Sequence, residues 1–109
     1  MSDCILERQA FISYFGGDKG AANFTANLAE ALEKDGVPFF LDYANLLPGC
    51  NWREVITREA QCSQVMIVVL SPNYFLRYWP MRELDLAMCA IEGGAPIAII
   101  PVYCGIPNL

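Results

Sequence analysis

The sequence contains no histidine, and this absence excludes several classes of site. Triads and general bases that depend on an imidazole are not available to the chain. A zinc site without histidine would need paired cysteines, yet none of the five cysteines forms a C-x-x-C spacing. We therefore predict no metal site. The odd cysteine count favours free thiols in a reducing cytosol.

Clustered positive charge and long apolar segments are missing as well. The seven Lys and Arg residues are scattered, and the formal net charge is −5. Nucleic-acid binding needs grouped cations that neutralise phosphates, so it is disfavoured. No apolar segment reaches the roughly 18 residues of a membrane span, and the N-terminus lacks the pattern of a signal peptide. We expect a cytoplasmic protein that binds neither nucleic acid nor membrane.

The sequence does contain a regular alternation of strand and helix patterns. Its 109 residues, 55% of them hydrophobic, are enough for one domain with a real core. Strands are predicted at 10–14, 37–41, 65–70 and 95–103, and helices at 21–35, 52–62 and from about 81. Because helices join successive strands, we predict an α/β fold with a parallel sheet between helices. Pro38 suggests that the second strand pairs at an edge or that the proline lies at its start, and Pro101 favours an edge position or a bulge in the fourth strand.

The stretch 71–84 is the first candidate for function, because it follows the apolar strand 65–70. Ligands of open α/β sheets bind at the carboxyl ends of such strands. Pro80 suits the first turn of a helix, and that helix places Trp79 and Glu83 on one face. An aromatic plate beside a carboxylate could stack a flat ring and hold a sugar or a developing cation. Alternatively, Glu83 is a first-turn glutamate favoured by the helix dipole and Trp79 packs in the core.

Two loops follow other strands at the same edge of the sheet. The glycine-rich loop 16–20 matches neither the P-loop nor the dinucleotide fingerprint, and Asp18 is a candidate N-cap for the helix after it. The loop 42–51 is longer than most connections and carries Leu46 and Leu47. These leucines either bind a partner or fold back onto the sheet, and the sequence leaves both possibilities open.

Taken together, these segments resemble a Toll/interleukin receptor (TIR) domain of the plant type. The matching residues are 10–14, 16, 18, 23–25, 28, 31–32, 40–42, 47–49, 67–71, 73–74, 79, 83–84 and 100–103. Each piece alone is degenerate, but their joint order and spacing are specific to this family.

The resemblance implies a flavodoxin-like, three-layer α/β/α fold with sheet order 2-1-3-4. A fifth strand normally follows, so residues 1–109 would form a single TIR domain that is short at its C-terminus. Many plant and bacterial members cleave NAD⁺ at the nicotinamide–ribose bond, in innate-immune and cell-death signalling. They release nicotinamide and ADP-ribose or its cyclic variants. NAD⁺ would then be a substrate, with no cofactor, and a homo-oligomer would be the working form.

The resemblance also assigns roles to individual residues. Glu83 takes the place of the catalytic glutamate. The substrate-binding residues would be Trp79, Phe15, Gly16, Gly17, Tyr78 and Ser71. The loop that closes the site and contacts a neighbouring subunit, called the BB loop in this family, would include Asp42, Leu46, Leu47, Pro48 and Gly49.

The chain departs from the plant pattern in its helices and in one loop. Phe15 replaces a residue that is usually basic, and Gly17 one that is usually acidic. Ala26 and Asn27 stand where many plant members have a Ser-His pair that packs helix against helix.

Two other functions compete with the enzyme. A non-enzymatic adaptor that assembles through TIR–TIR contacts is favoured by the missing terminal segment, whereas Glu83 favours the enzyme. A receiver or flavodoxin-like carrier domain would need acidic residues at several strand ends to hold a metal, and only Asp42 qualifies. The lack of histidine does not count against NAD⁺ cleavage, because the cationic nicotinamide leaves without a general acid. One ionised carboxylate near the ribose can stabilise the oxocarbenium-like transition state.

Overall fold

The computed structural model describes residues 9–41 and 52–105. The strands are β1 (Ala10–Ser13), β2 (Phe39–Phe40), β3 (Val65–Leu70) and β4 (Ala98–Tyr103). The helices are α1 (Lys19–Lys34), α2 (Trp52–Cys62) and α3 (Tyr78–Glu92), with a 3₁₀ turn at Tyr74–Leu76 before α3. Strands and helices alternate along the chain, as the hydrophobic pattern predicted.

The four strands form one parallel sheet in the order β2-β1-β3-β4, which confirms the predicted topology. β1 is buried over its whole length because it lies between two other strands. Within the described sheet, β2 and β4 are the edges, and β4 carries Pro101. A proline cannot donate to a strand on its outer side, so an edge position tolerates it.

The core lies on both faces of the sheet, and this confirms the three-layer architecture. Alternate residues of a strand point to opposite faces. Phe11 and Met66 therefore join the cluster beneath α2 and α3, which includes Ile56 and Leu86. Ile12 joins the cluster beneath α1. Each fully buried large apolar side chain contributes roughly 1.5–3 kcal/mol to folding.

α3 begins earlier than the sequence predicted, and this corrects one inference about Glu83. The helix starts at Tyr78, directly after the extended backbone of Arg77 (φ −111°, ψ 139°). Pro80 lies in its first turn, as predicted, but Glu83 lies in the second, and the first turn carries no acidic residue. The prediction of a first-turn glutamate was wrong. The helix dipole therefore does not explain a charged Glu83, since its effect is confined to the first turn.

The cysteines only partly follow the expectation of free thiols. Cys89 and Cys104 are free, but Cys62 is disulfide-bonded, so the expectation was wrong for this residue. A disulfide requires the two Cβ atoms to approach within about 4 Å, and spacing along the sequence does not reveal such an approach. Within the described ranges, every helix is too short or too polar to cross a bilayer.

Candidate active site

Glu83 lies on α3 opposite the carboxyl end of β1. Its side chain is 1% exposed, and its Oε1 accepts a 2.8 Å hydrogen bond from the Ser13 hydroxyl. Ser13 follows Phe11 by two residues, so it shares the face of β1 that α2 and α3 cover. A buried carboxylate is tolerated only with hydrogen-bonding partners. Ser13, the last residue of β1, is such a partner.

Tyr74 extends this contact into a small buried network. Its hydroxyl lies 2.7 Å from Ser13 Oγ and 3.1 Å from the carbonyl oxygen of Pro80. Each hydroxyl has one proton to donate, and an ionised carboxylate is the strongest acceptor present. Ser13 donates its proton to Glu83, and the Tyr74 proton is shared between the Pro80 carbonyl oxygen and Ser13 Oγ. Hydrogen bonds in such a chain strengthen one another.

A cavity of about 330 Å³ opens beside this network, where β1 ends and α3 begins. Its lining residues are Tyr14, Phe15, Gly16, Arg77, Tyr78, Trp79 and Pro80. The volume falls at the small end of the ligand-site range of roughly 300–1,000 Å³. Four aromatic side chains and one cation line it, which suits a flat ring joined to an anionic group.

Trp79 combines two placements: it packs against the core and it faces the cavity. Its half-buried side chain packs against the core cluster beneath α2 and α3, and it also lines the cavity. Tyr78 is 70% exposed and meets the Trp79 ring edge-on, with centroids 5.2 Å apart. The helix places Glu83 one turn beyond Trp79 on the same face. Glu83 is not among the lining residues; the network that holds it meets the cavity at Pro80, which lines the cavity and accepts the Tyr74 hydroxyl at its carbonyl oxygen.

Phe15 and Gly17, the two loop positions that depart from the plant pattern, depend on each other sterically. A Cβ on Gly17 would come within 2.2 Å of the Phe15 ring, so the ring occupies space that only a glycine leaves open. The guanidinium carbon of Arg77 lies 4.7 Å from the centroid of the same ring. A cation therefore borders this loop, but it comes from the segment before α3.

Asp18 joins the loop after β1 to the loop after β3. Its carboxylate accepts hydrogen bonds from Ser71 Oγ (2.6 Å), from the Asn73 backbone N–H (2.9 Å) and from Asn73 Nδ2 (2.8 Å). The Ser71 and Asn73 hydrogen bonds, helped by the charge of Arg77, hold the pKa of the Asp18 carboxyl below its ordinary value of 3.8. Asp18 occupies the N-cap position of α1, but its side chain makes no capping bond. The predicted N-cap position is therefore confirmed, but the side-chain cap expected there is absent, because these partners engage both oxygens.

The residues that the sequence proposed for the site fall into four groups. Trp79, Phe15, Gly16 and Tyr78 line the cavity together. Gly17 lies beneath the Phe15 ring. Ser71 and Glu83 are both buried: the Ser71 hydroxyl donates to Asp18, and Glu83 accepts from Ser13. The loop residues, Asp42, Leu46, Leu47, Pro48 and Gly49, lie outside the described residues.

Sequence reasoning assigned no site role to Ser13, Tyr74, Asn73 or Arg77. The available signals were weak: a serine at the end of the buried strand β1, and polar residues directly after β3. Both positions lie at the carboxyl edge of a parallel sheet, where binding residues collect. Their mutual contacts could not be read from spacing.

Comparison with known proteins identifies relatives of this chain. The TIR domain family model matches residues 10–109. The chain is 38% identical over 97 residues to the probable 2′ cyclic ADP-D-ribose synthase TcpB of Brucella abortus, covering 89% of this chain and 38% of that protein. It is 34% identical over 93 residues to the NAD(+) hydrolase PdTIR of Paracoccus denitrificans, covering 85% of this chain and 30% of that protein.

A solved structure agrees with these relatives. The TIR domains of the activated Roq1 resistosome, which recognises the pathogen effector XopQ, superpose with a TM-score of 0.79 at 25% identity. The match covers 88% of this chain and 57% of that one. The two bacterial relatives extend the likeness beyond the plant type, and the chain spans less than two fifths of their length. On the family match and these likenesses, the chain belongs to the TIR domain family.

Proposed function

We propose that this domain cleaves NAD⁺ at the nicotinamide–ribose bond. The observation that carries the proposal is an aromatic cavity at the carboxyl end of β1, with the Glu83 carboxylate one helical turn behind Trp79. Relatives that cover most of this chain are named as an NAD(+) hydrolase and a probable cyclic ADP-D-ribose synthase. Forming a cyclic ADP-ribose from NAD⁺ requires loss of nicotinamide, which is breakage of this bond.

The chemistry asks little of the protein beyond positioning and one negative charge. When the C–N bond breaks, its electron pair stays with the nitrogen of nicotinamide, which leaves neutral, and the positive charge moves to the ribose. A carboxylate near the ribose stabilises that charge. Water then adds to the anomeric carbon and releases a proton, giving ADP-ribose. If a hydroxyl or ring nitrogen of the same molecule adds instead, the product is cyclic.

In this role Trp79 stacks a flat ring of the substrate, and Glu83 supplies the charge. The Glu83 carboxylate is covered in this structure, so the proposed role requires substrate binding to bring the carboxylate into contact with the ribose. Phe15, Gly16 and Tyr78 shape the remaining wall.

We further propose that the domain works as an assembly of several copies. The related Roq1 domains are described in an activated resistosome. Large apolar side chains are exposed beside the cavity here, with Leu76 76% and Phe75 55% exposed. Exposed apolar groups grouped in this way are typical of contact surfaces. A cytoplasmic location and a part in immune signalling stay predictions, which cell fractionation and a cell-death assay would check.

The decisive experiment measures NAD⁺ turnover at high protein concentration and identifies products by mass spectrometry. Glu83→Gln keeps the shape of the side chain and removes its charge. Glu92→Gln makes the same change at an exposed position on the same helix. We expect turnover by the wild type and Glu92→Gln, and a loss of at least 100-fold in Glu83→Gln, as for removal of an electrostatic stabiliser.

A non-enzymatic TIR–TIR contact module is the second candidate, favoured by the same exposed side chains, Phe75 and Leu76. It predicts that the folded wild type self-associates but leaves NAD⁺ intact. Turnover of NAD⁺ separates the two candidates, and sedimentation velocity on the same samples shows that the protein tested is assembled. If Glu83→Gln still cleaves NAD⁺, the domain is an enzyme whose activity does not depend on the charge of Glu83.

A further inference from the structure

We infer that Arg77 is the anionic-group anchor of this cavity, holding the diphosphate of the substrate. The inference rests on the proposed function and deepens it, because it assigns the residue that selects a phosphate-bearing ligand. Arg77 lines the same cavity as Trp79, Tyr78 and Phe15. Within the described lining it is the one charged side chain.

The Arg77 guanidinium is held in place without being neutralised. Its central carbon lies 4.7 Å from the Phe15 ring centroid, a distance at which a cation is attracted to the face of the ring. A ring orders the side chain but leaves its positive charge uncompensated. Among the described residues, Arg77 has no carboxylate within ion-pair distance, whereas Arg82, on α3, pairs with Asp85 at 3.3 Å.

Asp18 is the acidic group that faces Arg77 at longer range, and it does not compete strongly for it. The Asp18 carboxylate already accepts three hydrogen bonds from Ser71 and Asn73. The charge of Arg77 contributes least among the influences that hold the pKa of Asp18 down. The N–H donors of Arg77 therefore remain available to an incoming anion.

The charge balance of the domain favours such an anchor. A dinucleotide brings two negative charges on its diphosphate, and the chain itself has a net charge of −5. The other lining residues supply rings and backbone, which bind bases but cannot offset charge. Arginine suits this task because its planar fork donates two parallel hydrogen bonds to phosphate oxygens.

The position of Arg77 along the chain also favours an anion at this site. It is the residue directly before α3, a helix of 15 residues whose amino end opens on the cavity through Tyr78 and Trp79. The free N–H groups of a helix amino end favour an anion. A phosphate beside Arg77 would meet both the guanidinium and this end of the helix.

The test compares Arg77→Gln with Arg58→Gln, which removes the same charge from an exposed position on α2 outside the cavity lining. KM and kcat for NAD⁺ are measured, together with binding of ADP-ribose and of adenosine by calorimetry. ADP-ribose keeps the diphosphate, whereas adenosine has no phosphate. We expect Arg77→Gln to raise KM and the Kd for ADP-ribose about tenfold, the loss of one charge-assisted contact. The value of kcat and adenosine binding should change less than about twofold, and Arg58→Gln should resemble the wild type.

The possible outcomes separate this inference from the proposed function. If the wild type cleaves NAD⁺ and Arg77→Gln leaves KM unchanged, the inference is wrong and the activity stands. If the wild type binds ADP-ribose through Arg77 without cleaving NAD⁺, the anchor stands and the activity fails. If the wild type neither binds ADP-ribose nor cleaves NAD⁺, both are wrong. Arg77→Lys keeps the charge without the planar fork, so an intermediate Kd in this folded variant supports the anchor. If Arg77→Lys binds ADP-ribose as weakly as Arg77→Gln does, the planar fork of the arginine is what holds the anion.

Discussion

The Ser13 hydroxyl donates a 2.8 Å hydrogen bond to Glu83 Oε1, across 70 residues of sequence. Ser13 ends the buried strand β1, and Glu83 lies in the second turn of α3. This contact links the carboxyl edge of the sheet to the helix that carries the candidate catalytic group. The hydrogen bond gives a buried carboxylate a partner, at the edge of the sheet where α/β proteins bind their ligands.

Ser13→Ala removes the donor to Glu83 and should destabilise the domain. A buried acceptor that loses one partner costs about 1.5 kcal/mol of unfolding free energy, more if it is charged. Urea unfolding followed by circular dichroism measures the change. Tyr74→Phe, which removes only the outer hydroxyl of the network, should cost less, about 1 kcal/mol. A Ser13→Ala variant as stable as the wild type would show that this hydrogen bond does not hold Glu83.

Asp18 should make the stability of the domain depend on pH in the acidic range. Its pKa is lower in the folded state than the ordinary 3.8, so the folded state binds fewer protons than the unfolded chain between these two values. The Asp18 contribution is therefore complete above the unfolded pKa and is lost as pH falls through the folded pKa. Asp18→Asn should be less stable than the wild type at pH 7, with the difference shrinking below about pH 4. Thermal melts from pH 7 to pH 2.5 test this, with the exposed Asp35→Asn variant correcting for the change in net charge. A difference that stays constant over this range would contradict the prediction.

Gly17→Ala should weaken substrate binding more than it changes stability. The new Cβ would meet the Phe15 ring at 2.2 Å, and the ring must swing away from Arg77. Because the ring is the free end of a side chain, the fold can accommodate the shift. Loss of one cation–π contact corresponds to about a threefold rise in the KM for NAD⁺. Gly20→Ala is the matched control, since Gly20 lies outside the cavity lining and its new Cβ would meet Cys104 Sγ at an ordinary 3.7 Å. Equal KM values for the two variants would show that Phe15 does not position Arg77.

Trp79 should contribute to stability through its core contacts and, separately, to activity through its ring face. Trp79→Ala removes a half-buried ring from the core beneath α2 and α3 and should cost about 2 kcal/mol of unfolding free energy. It should also lower NAD⁺ turnover, whereas Trp79→Phe keeps a stacking face and most of the activity. Turnover is compared at a temperature where all three proteins are folded. Unchanged turnover in folded Trp79→Ala would remove the stacking role.

Much of the fold could be predicted because it depends on local patterns. The apolar run at Val65–Leu70 indicated a buried strand, and α2 was predicted at its observed bounds. Errors occurred at helix ends: α3 begins at Tyr78, because the chain turns helical directly after the 3₁₀ turn at Tyr74–Leu76. That shift of one turn was enough to move Glu83 out of the range of the helix dipole.

The candidate site was predicted less completely, because its contacts cross the sheet. Sequence reasoning named Trp79 and Glu83 from their helical spacing and from the resemblance. It missed that Asp18 binds Ser71, 53 residues away, and expected a helix cap instead. It also read Phe15 as the loss of a positive charge, whereas Arg77 brings a cation to the same ring.

The sequence by itself determined the order of strands and helices, the family and the type of residues available for chemistry. Periodicity, turn residues and joint motif spacing are local properties, so they can be read along the chain. Only the tertiary structure decided which side chains meet: Ser13 with Glu83, Asp18 with Ser71, and Phe15 with Arg77. These pairs form because parallel pairing of β1 with β3 brings their carboxyl ends, and the loops after them, to one edge of the sheet. Hydrogen bonds and ring contacts act over a few ångströms, a proximity that the separation of residues in sequence does not specify.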